Sequence, residues 1–223
     1  IWKFLDKNKY QNIKNETKKK EILDFYNQHI KDKINKNIET IQNKKELNFV
    51  HSGHLGDLIY SFPVVQEIAK THKCNFYVRI NKKMEIKYPD HPSGNVYLDE
   101  RIVKLLLPLI KNQGFINKCD IFSKEHIDID LDFFREVPID FRFHSIRWYM
   151  HLTGVYTDMN IPYLETKHHE IIKNKIIIVR SPRYRNDFIN YEFLSDIKDK
   201  ILCVGLKKEF EDQITSGGLK MII

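Results

Sequence analysis

The chain has 223 residues and carries 37 Lys plus Arg against 30 Asp plus Glu, a net charge of +7. That length allows one large domain or one and a half smaller ones around a buried core. A pI near 9.1 suits an anionic partner such as a nucleotide-sugar or a lipid headgroup, although a Lys-, Asn- and Ile-rich composition raises the charge without choosing one. No run approaches the ~18 apolar residues of a membrane span, and the opening residues do not read as a signal peptide. Cys74, Cys119 and Cys203 are odd in number and lack metal-ligand spacing. They read as reduced core or strand residues of a cytosolic protein.

Residues 1–46 form a Lys- and Asn-rich extension. Ile22, Leu23, Phe25, Tyr26, Ile30, Ile34 and Ile38 fall near helical spacing, which predicts one or two helices packing weakly on the main domain. A cationic helix of this kind is also compatible with an anionic membrane surface, but the ordinary buried stripe is the simpler reading because the apolar face is thin.

The most explicit stretch is LNFVHSGHLGDLIYSFPVVQEIAK, residues 47–70. A strand over 47–50 meets a turn, Ser52-Gly53-His54-Leu55-Gly56-Asp57, and an amphipathic helix follows with Leu58, Ile59, Phe62, Val65 and Ile68 on its apolar side. Gly53 and Gly56 permit positive φ and close approach to the backbone, and a helix start leaves amides unpaired that suit an anion or polar ligand. Asp57 would repel a phosphate, but it suits a helix N-terminus and has the chemistry to accept a proton from a hydroxyl.

A second strand, CNFYVRI over 74–80, completes a βαβ unit with a parallel sheet and a right-handed crossover. PDHPSG, 89–94, is a loop; RIVKLLLPLIK, 101–111, is a buried helix that kinks or ends near Pro108. Two short alternating runs follow, 118–122 and 126–131, before Phe133, Phe134 and Arg135. Asp128, Asp130 and Asp132 alternate, so in a strand they share one face; the missing glycine and distal Glu of a calcium loop favour a solvated face or loop caps over a metal site.

HSIRWYMHLT, 144–153, predicts a helix burying Ile146, Tyr149, Met150 and Leu152, with Gly154 after its end. His144, Arg147 and His151 would lie near one another on it, and His144 and Arg147 are candidate acceptor contacts, against the commoner structural role of a helix histidine. Residues 155–173, with Pro162 and the His168-His169 pair, read as a linker. From Lys175 the pattern restarts: KIIIVR as a buried strand, a polar SPRYRNDFIN loop, a helix over 191–197, a strand ILCVGL, a helix over 207–215 and a strand LKMII. Arg180, Arg183 and Arg185 fall at or past the carboxyl end of that first strand, where open α/β sheets bind ligands and guanidinium forks match phosphate oxygens; surface pairing with Asp187 or Glu192 is the alternative.

In order, SGHLGDLIYSFP, the helix ending PLI, the IDIDLDFFR segment and the IVRSPRY-N stretch before a strand ending VGL resemble the heptosyltransferase-like glycosyltransferases of family 9, whose fold is GT-B. The likeness covers roughly residues 47–223. It implies two Rossmann-like parallel-sheet domains: an acceptor domain at 47–154, the linker 155–173, and a donor domain at 174–223 that is incomplete after three strands. A chain opening on Ile rather than Met fits a fragment. The resemblance implies inverting, metal-independent transfer of a sugar from a nucleotide-diphosphate donor to a hydroxyl of a glycan or glycolipid, at the cytoplasmic face of the membrane. In the best-known members the donor is ADP-heptose and the product a lipopolysaccharide core.

Asp57 then takes the place of the general base and Ser52, Gly53, His54 and Gly56 form its loop. Arg180, Ser181 and Arg183 contact the diphosphate, and the donor is a substrate, so no cofactor is required. A non-catalytic nucleotide-binding or scaffolding module of the same fold is the alternative. Nucleic-acid binding has only the basic charge behind it and no motif.

Overall fold

The computed structural model describes residues 7–86, 88, 91–138, 143–167, 169–179, 192–205 and 221–222. The chain divides into two compact units, Ile1–Thr166 and Lys167–Ile223.

In the first unit, α1 (Lys7–Phe25), a π-helical turn (Tyr26–Ile30) and α2 (Lys31–Asn43) make one helical run. Its halves differ. Ile22, Leu23 and Phe25 are exposed, whereas Ile30, Ile34 and Ile41 are buried in the main core. The predicted weak packing is therefore corrected for the second half, where Ile at 30, 34 and 41 recurs at the spacing of a single helix face.

After α2 come β1 (Glu46–His51), α3 (Leu55–Ala69), β2 (Lys73–Val78), α4 (Glu100–Lys111), β3 (Lys118–Ile121) and β4 (Ile129–Asp130). A 3-10 turn, Leu131–Glu136, and α5 (Ile146–Thr153) follow. Asp99 caps α4 by accepting from the Ile102 N–H at 2.8 Å, and α4 runs one turn beyond Pro108. Gly154 closes α5 in the left-handed conformation, its N–H donating to the Met150 carbonyl at 2.8 Å.

The four strands are parallel, in the order β3-β2-β1-β4. Leu47, Phe49, Phe76, Cys119 and Ile129 point to one face and join the main core with residues of α2 to α5. The opposite face carries the register row Asn48, Asn75 and Lys118, with the Asn75 amide donating to the Asn48 and Glu46 side chains at 2.8 Å. A parallel sheet in a doubly wound fold is usually apolar on both faces; here the second face is polar at Asn48 and Asn75 and turns apolar at Val50 and Tyr77, both buried, toward the carboxyl ends.

The strand order fixes where a ligand should sit. β2 and β3 lie to one side of β1 and β4 lies to the other, so the order reverses between β1 and β4. In open α/β sheets the crevice outside the carboxyl ends at such a switch point is the binding site.

The second unit holds β5 (Ile176–Val179), a 3-10 stretch (Glu192–Lys200), β6 (Ile201–Val204) and β7 (Met221–Ile222), parallel in the order β5-β6-β7. The helix predicted over 191–197 is this 3-10 stretch. β5 is not buried as predicted: Ile176, Ile177 and Val179 are 46%, 40% and 71% exposed, although β6 beside it is buried at Ile201, Leu202 and Cys203. An apolar run of that length signals a strand but does not say whether it lies at an edge; β5 is the edge. The loop carrying Arg180, Ser181 and Arg183, and the helix predicted over 207–215, lie outside the described residues.

Candidate functional site

The switch point is filled with polar groups, and they fall into a buried floor and an open lip. The floor begins with His51 and Ser52, the end of β1, both fully buried. Asp132, at the start of the 3-10 turn after β4, accepts from the Ser52 N–H at 3.1 Å and from the Ser52 hydroxyl. It also accepts from Arg135 at 2.7 Å, Lys82 at 3.1 Å and Arg79 at 3.4 Å. Burial works to raise the Asp132 carboxyl pKa, but the adjoining His51, the Ser52 hydrogen bonds and the Arg135 charge outweigh it and hold the value below the ordinary one.

His51 is set by its partners. The Gly53 N–H donates to Nδ1 at 2.9 Å, so Nδ1 is unprotonated and the proton lies on Nε2, which donates to the Tyr149 hydroxyl at 2.9 Å. Tyr149 passes its own proton on, donating to the Asp57 carbonyl at 2.8 Å. Burial drives the His51 pKa down to about 3 and keeps the ring neutral, so its 3.5 Å approach to Asp132 is not an ion pair. The chain from Gly53 through His51 and Tyr149 to Asp57 ties both ends of the glycine turn to α5.

The turn itself is tight where the floor supports it. Gly53 has φ +93°, and a Cβ there would come within 2.7 Å of Leu98, so glycine is required. Gly56 differs from expectation. α3 already starts at Leu55, so Gly56 and Asp57 belong to its first turn rather than to the loop, and a Cβ on Gly56 would meet nothing within 4 Å. His54, the N-cap, makes no side-chain cap bond and sits instead among the rings of Tyr88, His91 and Tyr97.

Asp57 forms the lip. Its side chain is 27% exposed against 3% for Asp132, and Arg135 joins the two, donating to Asp57 at 3.1 Å with its second nitrogen. The guanidinium carbon lies 4.4 Å from the ring centres of Tyr97 and Phe134, which fixes its plane. A carboxylate held this way, half open at a helix N-terminus over the switch point, is placed to take a proton from a hydroxyl or to orient one.

Sequence reading brought Ser52, Gly53, His54, Gly56 and Asp57 to this place. It did not bring His144 and Arg147. His144 precedes α5, accepts from the Ile146 N–H at 3.3 Å and meets the Tyr60 ring edge-on, while Arg147 lies over Phe143. The three aspartates do line one cavity, as alternation suggests, but with different partners and burial. Asp128 binds Lys44 and the Asn48 N–H, Asp130 binds Arg79, and Asp132 turns inward, because the strand lasts only two residues before the 3-10 turn. Among the described residues no group of His, Cys, Asp and Glu side chains has the arrangement of a metal site.

His51, Arg79, Lys82, Asp132, Arg135 and Tyr149 were not singled out as site residues. His51 and Arg79 had a signal: each is a polar residue at the carboxyl end of an otherwise apolar run, where α/β sheets place ligands.

No family model, curated protein or solved structure matches this chain. No helix among the described residues is long and apolar enough to cross a membrane.

Proposed function

We propose that the chain is a glycosyltransferase of the heptosyltransferase-like, GT-B kind, moving a sugar from a nucleotide-diphosphate donor to a hydroxyl of a glycan or glycolipid. The observation that carries the reading is Asp57: a partly open carboxylate on the first turn of α3, over the switch point, gripped by Arg135 and anchored through its carbonyl to Tyr149. In the reaction the acceptor oxygen attacks the anomeric carbon, its proton passes to Asp57, and the bond to the diphosphate breaks with inversion. The protonated Asp57 then releases its proton to solvent, and the nucleotide diphosphate leaves as the anion.

The two-lobed architecture and the roles of Arg180, Ser181 and Arg183 at the leaving diphosphate belong to the same proposal and rest on the sequence resemblance. A cytoplasmic setting at the membrane face goes with it; three buried free cysteines suit a reducing compartment. Asp57→Asn in the complete protein tests the chemistry. Transfer should fall by about 10²–10⁴-fold with donor affinity retained, and unchanged turnover removes Asp57 from the role.

The Arg135 contact supports a second reading, because a carboxylate already engaged by a guanidinium also suits a purely binding module. Donor binding without turnover in the complete protein would select that reading.

A further inference from the structure

Beside the switch point, on the side of Asp132 away from Asp57, lies a cavity of about 390 Å³ walled by α2, the segment after β2, and β4 with its 3-10 turn. Its volume is in the range of small-ligand sites, roughly 300–1,000 Å³. The lining does not include Asp57 or the glycine turn, though it shares Asp132, Arg79 and Lys82 with the buried floor.

Its charges are not balanced where a ligand would meet them. Asp128 and Asp132 line the cavity but are only 4% and 3% exposed; Asp128 is held by Lys44 and Asn48, and Asp132 by Ser52 and Arg135 with Lys82 and Arg79 on its second oxygen. What faces outward is Lys33, Lys36, Arg79 and Lys82 against the carboxylates of Asp130 and Glu136. The lining holds four cations and four carboxylates, but Lys44 and Arg135 from outside it pair the two buried ones, so the charge open to solvent leans positive and favours an anion.

Two of these cations also have capacity to spare. Arg79 reaches Asp130 with both terminal nitrogens at 3.3 Å and Asp132 at 3.4 Å, long beside the ~2.7–2.9 Å of a strong charge-assisted bond. Lys36 is exposed and has no ion pair among the described residues. A planar guanidinium with two ammonium groups around it fits the three oxygens of a phosphate. Asp130, Glu136 and the side-chain oxygen of Asn37, whose amide nitrogen is spent on the Leu152 carbonyl at 3.1 Å, are acceptors suited to hydroxyl groups.

We propose that this cavity binds a phosphorylated polyol, with the phosphate on Arg79, Lys36 and Lys82 and the hydroxyls on Asp130, Glu136 and Asn37. The site goes beyond sugar transfer at Asp57 and does not depend on it.

The test is thermal unfolding and calorimetric titration of the full chain with inorganic phosphate, glucose 6-phosphate and glucose, in the parent, in a Lys33→Gln/Lys36→Gln double variant and in Asp57→Asn. Both lysines are exposed, and Lys33 makes a surface ion pair with Glu136 and a cation–π contact over the Phe133 ring at 4.6 Å, each worth about 1 kcal/mol or less at an exposed site, so the double variant should fold normally. Expected is stabilisation by phosphate, stronger stabilisation by glucose 6-phosphate and none by glucose, with binding roughly tenfold weaker in the double variant and unchanged in Asp57→Asn. No response to either phosphate, an equal response in parent and double variant, or loss of the response in Asp57→Asn overturns the site. Equal binding of inorganic phosphate and glucose 6-phosphate overturns the polyol part.

Discussion

The two carboxylates that Arg135 joins are the same chemical group doing opposite things. Asp132 sits on the floor with donors from Ser52, Arg79, Lys82 and Arg135 and almost no contact with water; Asp57 sits on the lip with the Arg135 guanidinium at 3.1 Å, the His54 ring at 3.9 Å and an open side. A buried charge is tolerable only when its hydrogen-bonding capacity is filled, so the floor is committed to holding β1, β2 and the 3-10 turn together. An exposed charge costs the fold little, so the lip is available to a substrate. The difference between them is solvation, and substitutions should separate the two roles.

The largest effect is expected at Asp132. Asp132→Ala removes the carboxylate shared by Arg79, Lys82 and Arg135 and takes away the partner of the buried Ser52. Among the described residues it leaves Lys82 unpaired and Arg79 and Arg135 with only Asp130 and Asp57, a loss of about 3–5 kcal/mol of the kind seen when one member of a buried pair is deleted. Urea denaturation measures it. The equivalent change at Asp57 should alter stability by less than ~1 kcal/mol; if the two variants lose similar stability, the division into floor and lip is wrong.

Acid separates them next. The folded-state pKa of His51 is about 3, below its ordinary 6.5, so its neutral form is favoured by folding. Its contribution is complete above pH 6.5 and is lost as pH falls from there toward 3, at ~1.4 kcal/mol per pH unit. Asp132 has the same sign in a lower window: its depressed pKa contributes stability above the ordinary carboxylate value and loses it as pH falls through the folded value. Between pH 6.5 and 5, where carboxylates are still ionised, the parent should therefore destabilise more steeply than His51→Gln. Parallel stability curves for the two proteins would show that His51 is not held neutral by the floor.

Much of the lip was legible in the sequence and most of the floor was not. Residues 54–57 follow one another directly after Gly53, and a strand, a glycine turn and a helix start are local events written in one window. The floor is assembled from β1, the segment after β2, the turn after β4 and α5, residues 51 to 149, and no spacing rule connects them. Alternation brought Asp128, Asp130 and Asp132 to one cavity, but nothing local announces that β4 stops after two residues and that Asp132 turns inward to Ser52. The same limit applied to Ile176–Val179, whose apolar run predicted a strand correctly and its burial incorrectly: edge position is decided by strand order, a tertiary property.

The smallest effects lie within the turn, where two glycines three residues apart divide between floor and lip. Gly53→Ala forces a side chain into φ +93° and against Leu98, and should cost about 1–2 kcal/mol from the backbone alone. Gly56 is helical and a Cβ there meets open space, so Gly56→Ala should raise stability by roughly 0.5–1 kcal/mol through the flexibility it removes from the unfolded chain. The added methyl projects into the empty volume beside Asp57, so under the proposed chemistry Gly56→Ala should raise KM for the acceptor while the melting temperature rises. A variant that is more stable and equally active would show that the acceptor does not approach over Gly56, and would move the entry path to the His54 side of the turn.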